Sequence, residues 1–226
     1  MRAATQAAWC LSQVIESREI VAMHNSGPGY RNEFRIIGGE WRRRRLGFPP
    51  LPDIRPSPDR VRETLFNWLQ GRVPGAHCLD LFAGSGALGL EALSRGAADC
   101  VFVDQARAVI ETLRSHFDSL QAQGAEAVQS EALLFLERNH QRFDLVFLDP
   151  PFASDLLERT LEILSAGAWL APDARIYIEY AAARCPALPA GWRMLREARA
   201  GRVGFGLAIA AELPRRPTPT YPTVEE

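Results

Sequence analysis

Leu79-Asp80-Leu81-Phe82-Ala83-Gly84-Ser85-Gly86-Ala87-Leu88-Gly89-Leu90-Glu91-Ala92-Leu93 reads as the end of a strand, a glycine turn and the start of a helix. Cys78 to Phe82 is short and mostly apolar, the pattern of a buried parallel strand. Gly84 and Gly86 permit positive φ and let a ligand approach the main chain closely. From Ala87 the apolar spacing turns helical, with Leu88, Ala92 and Leu93 able to face a sheet. The turn thus presents backbone N–H groups at a helix N-terminus beside a carboxylate, Asp80.

Two ligand chemistries compete for this turn, against a plain βα connection that binds nothing. Gly84-Ser85-Gly86-Ala87-Leu88-Gly89 matches the G-x-G-x-x-G fingerprint of dinucleotide sites. Asp80 opposes that reading, because a carboxylate at the mouth of the turn repels a pyrophosphate. The same carboxylate suits a ligand with an ammonium group, such as the methionine end of S-adenosylmethionine.

Outward from the turn, strands and helices alternate. Helix 87–95 leads to a strand over 100–104, helix 106–122 to a strand over 125–129, and helix 132–139 to a strand over 143–148. Helix 154–165 and a strand over 174–180 follow. Two last strands, about 192–199 and 203–211, flank Ala200-Gly201 as an antiparallel hairpin at the sheet edge. The alternation predicts an α/β fold: a Rossmann-like, doubly wound, mostly parallel seven-stranded sheet with a C-terminal antiparallel hairpin. Ligands in such sheets bind beyond the carboxyl ends of the strands.

Upstream, Phe34 to Ile37 and Glu40 to Leu46 predict a small N-terminal β-hairpin around Gly38-Gly39, its second strand carrying Trp41 and four arginines. Prolines 49, 50, 52 and 56 mark an extended linker. Ser57 is the expected N-cap and Pro58 the first residue of a helix to about Gln70. Residues 1–33 are expected to be a flexible extension with a short helix over 7–21, and Met23 is a second candidate start. Residues 34–56 form the basic arm and linker, 57–212 the main domain, and 213–226 a Pro- and Thr-rich tail expected to be disordered.

The 226 residues suit one such domain, and 47% hydrophobic content suffices for its core. Net charge is −1, yet Arg31 to Arg62 holds nine arginines against four acids, or +5. That asymmetry predicts a basic face on an acidic body. Arg35, Arg42, Arg43, Arg44, Arg45, Arg55, Arg60 and Arg62 are the candidate RNA contacts, although a charge run is often only a solvated face. All 26 basic residues are Arg, which points to coding composition more than function. Cysteines 10, 78, 100 and 185 are scattered, as free thiols of a reducing cytoplasm would be, and predict no metal site. No apolar run approaches the ~20 residues of a membrane span.

Three carboxylates end successive strands: Asp80, Asp104 and Asp149. In an open α/β sheet they converge on one crevice. Asp104 follows Gly84 by 20 residues, the spacing of an acid that accepts from a ribose diol. Glu131-Ala132, after the third strand, is placed to approach an adenine edge. Asp149-Pro150-Pro151-Phe152 is the most specific signal. Its prolines fix φ and remove two donors, so the Asp149 and Pro150 carbonyls stand as rigid acceptors, and Phe152 offers a flat face for a base. A stiff turn with a buried Phe is the bland alternative.

With these residues the chain resembles the class I S-adenosylmethionine-dependent methyltransferases, in their amino-methylating D-P-P-F/Y branch. More closely, it is similar to the RsmD family of bacterial rRNA guanine-N2 methyltransferases. The resemblance covers about Arg35 to Ala211. It includes Arg35-Ile36-Ile37-Gly38-Gly39-Glu40-Trp41-Arg42, Arg55-Pro56, Asp59 to Leu69, the glycine turn to Arg95, and Asp149 to Phe152. It implies methylation of guanine 966 of 16S rRNA, in the usual bacterial numbering, on the small ribosomal subunit, by a cytoplasmic monomer without metal. The expected cofactor contacts are Asp80, Phe82, Ala83, Gly84, Ser85, Gly86, Asp104, Gln105, Glu131, Ala132 and Asp149. Asp149, Pro150 and Phe152 are the expected catalytic group. Glu131 departs from the Asn or Asp common at its position. A DNA adenine-N6 methyltransferase shares the D-P-P-F/Y turn, and a non-catalytic RNA-binding protein and an NAD-dependent oxidoreductase are the other rivals.

Overall fold

The computed structural model describes residues 32–51, 56–138 and 141–210. The expected helix over 7–21, Met23, Arg55 and the tail lie outside the described residues. Strands β1 (Glu33–Arg35) and β2 (Arg45–Gly47) form a separate two-stranded antiparallel sheet. Helix α1 (Asp59–Trp68) leads into β3 (His77–Asp80), α2 (Ala87–Ser94), β4 (Asp99–Asp104), α3 (Arg107–Leu120) and β5 (Ala125–Gln129). Then come α4 (Ala132–Arg138), β6 (Phe143–Leu148), α5 (Leu156–Ala166), β7 (Leu170–Ala181), β8 (Arg193–Ala200) and β9 (Val203–Ile209).

The main sheet has seven strands in the order β5-β4-β3-β6-β7-β9-β8. β5 through β7 pair in parallel, and β9 and β8 add antiparallel at the edge, as the alternation predicts. Chain order reverses between β3 and its neighbours β4 and β6, which makes their carboxyl ends the switch point.

Side-chain alternation splits the core in two. Cys78, Cys100, Phe102, Phe147 and Tyr177 pack with Leu65 and Phe66 of α1, Leu90 of α2 and Ile110 of α3. On the other face Leu79, Val101, Val146 and Ile178 pack with Leu136 of α4 and Leu161 of α5. The arm joins the first of these layers through Phe34, Ile36 and Leu46. No helix among the described residues is long and apolar enough to cross a membrane.

Two local expectations are corrected. The second arm strand is only Arg45–Gly47, and residues 40–43 are a turn, with Arg43 at φ 72°. The turn is fixed by backbone bonds from Arg43 to Ile36 and from Glu40 to Ser94, so Arg42 to Arg44 are displayed on a bend and not along a ladder. Ser57 does not cap α1. That helix begins at Asp59 with Pro58 at the N-cap position, and the Ser57 hydroxyl donates to Glu179 Oε1 at 2.6 Å.

Candidate active site

Strand parity places four acids on one face of the sheet. Asp104 shares the side of Phe102 on β4, and Asp80 that of Cys78 on β3. Asp149 continues the side of Phe147 just past β6, and Glu179 that of Tyr177 on β7. This is the face covered by α1 and α2. The structure therefore brings together the three predicted strand-end carboxylates and adds a fourth.

The glycine turn is built from these acids. Gly86 sits at the N-cap of α2 with φ 77°, where a Cβ would lie 2.4 Å from Leu113 Cδ2. Gly84 N–H donates to Asp104 Oδ2 at 3.0 Å, and Asp104 Oδ1 accepts from Ala106 N–H at 2.8 Å. Each oxygen keeps a lone pair for a further donor. Asp80 is buried, and its Oδ2 accepts from Gly89 N–H at 3.0 Å. Burial, only partly offset by that bond, pushes the Asp80 carboxyl up to about 7. A cation beside it would restore its charge. Ser85 and Ala83 are buried under the turn and Phe82 is half-buried, while Gln105 and Glu131 are exposed and Ala132 half-buried at the same end of the sheet.

Past β6, the described hydrogen bonds of the proline turn run from the Ser154 amide and hydroxyl to the Pro151 carbonyl, and none among the described residues reaches the Pro150 carbonyl. Phe152 is 40% exposed, the one large hydrophobic side chain so exposed among the described residues. The bland reading of a buried Phe is thereby removed. A cleft beside it is lined by Pro150, Pro151, Glu179, Tyr180 and Arg184. Burial, with Glu179 and Asp80 as like-charged neighbours, raises the Asp149 carboxyl well above its ordinary range.

Of the predicted RNA contacts, Arg42, Arg43, Arg44, Arg45 and Arg60 are exposed. Arg35 is exposed too and pairs with Asp59 at 3.0 Å. Arg62 is not a contact. It is fully buried, bonds Asp59 Oδ1 at 2.5 Å and lies 3.4 Å from Glu91 Oε2. Its guanidinium also donates to the Ser57 and Arg35 carbonyls and lies over the Phe34 ring. A charge that desolvated needs such partners, and no phosphate can reach it.

Sequence reasoning missed Glu179, Ser57 and Tyr177. The signal was present: an acid inside the apolar run Ile176-Tyr177-Ile178-Glu179-Tyr180, on a strand next to the proline turn.

Comparisons with known proteins give the family. A family model, conserved hypothetical protein 95, matches residues 34–208. Ribosomal RNA small subunit methyltransferase D of Escherichia coli (strain K12) is 47% identical over 185 residues, 81% of this chain and 92% of that protein. The namesake from Haemophilus influenzae is 40% identical over 184 residues, covering 80% of this chain and 95% of its own. The chain belongs to the RsmD family. The solved structure of the E. coli protein yhhF superposes with a TM-score of 0.73 at 47% identity, over 80% of this chain and all of that one. The family match, which begins at residue 34, takes in the arm with its arginine bend as well as the main sheet. The oxidoreductase and non-catalytic readings give way to a methyltransferase fold of the RsmD type.

Proposed function

We propose that the chain transfers a methyl group from S-adenosylmethionine to the exocyclic N2 of a guanine in 16S rRNA, guanine 966 in the usual bacterial numbering, on the small ribosomal subunit, as a cytoplasmic monomer. One observation carries the reading: the Asp149 turn and the exposed ring of Phe152 stand at the end of β6, one strand from Asp80 and two from Asp104. The names and coverage of the RsmD relatives support the substrate class.

The residues fit the cofactor. Asp80, raised to about 7 by burial, is matched to an ammonium group. Asp104 has lone pairs left for a ribose diol. Phe82, Ala83, Gly84, Ser85, Gly86, Gln105, Glu131 and Ala132 would complete the cradle. When bound, S-adenosylmethionine supplies an electrophilic methyl group on a sulfonium. Asp149 and the Pro150 carbonyl accept the two amine hydrogens and so orient the lone pair, which ring conjugation makes a poor nucleophile. Phe152 stacks the base once it is out of its helix. Positioning and a carboxylate aimed at the positive charge growing on nitrogen provide the catalysis. Arg42 to Arg45, on a bend anchored to Ser94 and Ser119 at the C-terminal ends of α2 and α3, hold phosphates of the same RNA away from the reacting base.

Incubating purified small subunits, naked 16S rRNA and DNA with methyl-labelled cofactor tests the reading. Label should appear as N2-methylguanine in 16S rRNA. Label in DNA adenine, or none in any substrate, contradicts it.

A further inference from the structure

Glu179 is an acid with 3% exposure near the carboxyl end of β7, inside its apolar run from Ile176 to Tyr180. A core position of this kind is costly for a carboxylate unless something there uses it. Two hydroxyls hold it: Ser57 Oγ at 2.6 Å and Tyr177 Oη at 2.8 Å, both donating to Oε1. Leu148 pairs with Ile178 in the parallel ladder, so one step on Asp149 stands beside Glu179 on the same face of the sheet. Glu179 also lines the cleft with Pro150 and Phe152.

We propose that Glu179 is a positioning residue for the chemistry, holding the Asp149 carboxyl at the substrate and sharing one proton with it. The inference rests on the methyl-transfer reading of the Asp149 turn. Two neighbouring carboxyls, Glu179 buried and Asp149 half-buried, resist ionising together at neutral pH, and their protons come off in two steps that belong to the pair. Both carboxyls are indeed raised by burial, Asp149 further by the charge of Glu179. The other groups facing the pair reinforce this. Asp80 on β3 is negative or neutral, Tyr177 is a neutral donor, and the Arg184–Glu158 ion pair, 3.0 Å long, closes on itself at the cleft rim. As the amine reacts, its lone pair forms the N–C bond, the S–C electron pair returns to sulfur, and the nitrogen's surplus proton passes to Asp149. Glu179 lets the pair take up that proton near neutral pH. Through Ser57 it also ties the catalytic turn to the segment that joins the arginine arm to α1.

The test is a pH titration of the side-chain carboxyls by carbon-13 NMR in the free protein, with the acid limb of the single-turnover rate measured in parallel. Asp149→Asn assigns the signal. In the wild type a carboxyl should titrate in the neutral range. Glu179→Gln, which keeps the shape and an acceptor oxygen for both hydroxyls, should move the Asp149 titration and the acid limb of the rate together to lower pH, by about one unit or more. Tyr177→Phe keeps both carboxyls, removes one bond that favours charge on Glu179, and should move them the same way by less, which guards against a Gln variant that does not fold. An Asp149 titration unmoved in both variants overturns the pairing. A titration that moves while the rate limb stays fixed overturns its role in the chemistry. If the titration moves but the wild type methylates no guanine, the pairing stands and the methyl-transfer reading fails.

Discussion

Asp80 lies under the glycine turn, its carboxyl raised by burial first and by the neighbouring Asp104 and Glu179 next; on the proposed reading, cofactor binding then depends on pH. An ammonium group pairs with Asp80 only when the carboxyl is ionised. Affinity for S-adenosylmethionine should therefore rise as pH climbs through about 7, then fall again as the ligand's amine loses its proton near ~8. Asp80→Asn should remove the rising limb, which calorimetry across that range would show; a rising limb that persists would take Asp80 out of the site. Stability runs the other way. The folded Asp80 binds its proton more tightly than an unfolded one at ~3.9, so the stability it contributes is full below that value and is lost up to about 7. Asp80→Asn should thus gain on the wild type in unbound stability as pH rises from 4 to 8, by an amount on the order of a few kcal/mol. At the target end, Asp149→Asn keeps an acceptor but loses the charge. It should slow single-turnover methylation by about 100-fold. Phe152→Ala should cost ~1–3 kcal/mol through lost stacking. An Asp149→Asn rate equal to wild type would make the turn merely structural.

The arm and α2 act as one element. Glu91, fully buried on α2, accepts from Ile37 and Gly38 N–H at 2.8 Å each and from Arg95 Nε at 2.7 Å, with Arg62 at 3.4 Å. One turn on, Ser94 accepts from Trp41 N–H and donates to the Gly38 carbonyl. The helix that opens at the glycine turn thus also carries the arginine bend. Arg62→Met should destabilise the fold by about 1–3 kcal/mol, because it leaves the Ser57 and Arg35 carbonyls without their donor and Glu91 with Arg95 as its remaining cation. Replacing Arg42 to Arg45 by Gln should instead leave the melting temperature nearly unchanged, raise KM for the small subunit and flatten its dependence on salt. A salt slope unchanged by the second substitution would reduce the run to a solvated face. Gly39→Ala should unseat the bend, since at φ 75° its Cβ would lie 1.7 Å from the Ser94 carbonyl oxygen. Melting would show this as a destabilisation in the range of the Arg62 variant.

Across the whole molecule, what was legible in the sequence is what has a period or a turn signature. The sheet, its edge hairpin, the glycine turn and the proline turn all announce themselves through alternation and fixed-φ residues. Long-range polar pairing has no such period. Arg62 looked like its exposed neighbours because what buries it is remote in sequence: Phe34 and the Arg35 carbonyl of the arm, and Glu91, 29 residues away. Ser57 sat where a cap belongs, yet its hydroxyl found Glu179, 122 residues on. The strand-end acids could be read because topology alone makes them converge. Glu179 could not, because nothing local says which neighbour an acid inside a strand will meet. The proposed product is a methyl group on N2 of one guanine in the small-subunit rRNA. Mass-spectrometric mapping of 16S rRNA from cells with the gene, without it, and complemented by wild type or Asp149→Asn reads that product at its site. N2-methylguanine at position 966 should be lost with the gene, restored by the wild type and not by Asp149→Asn; 16S rRNA carrying the same modifications in all four strains would contradict the account.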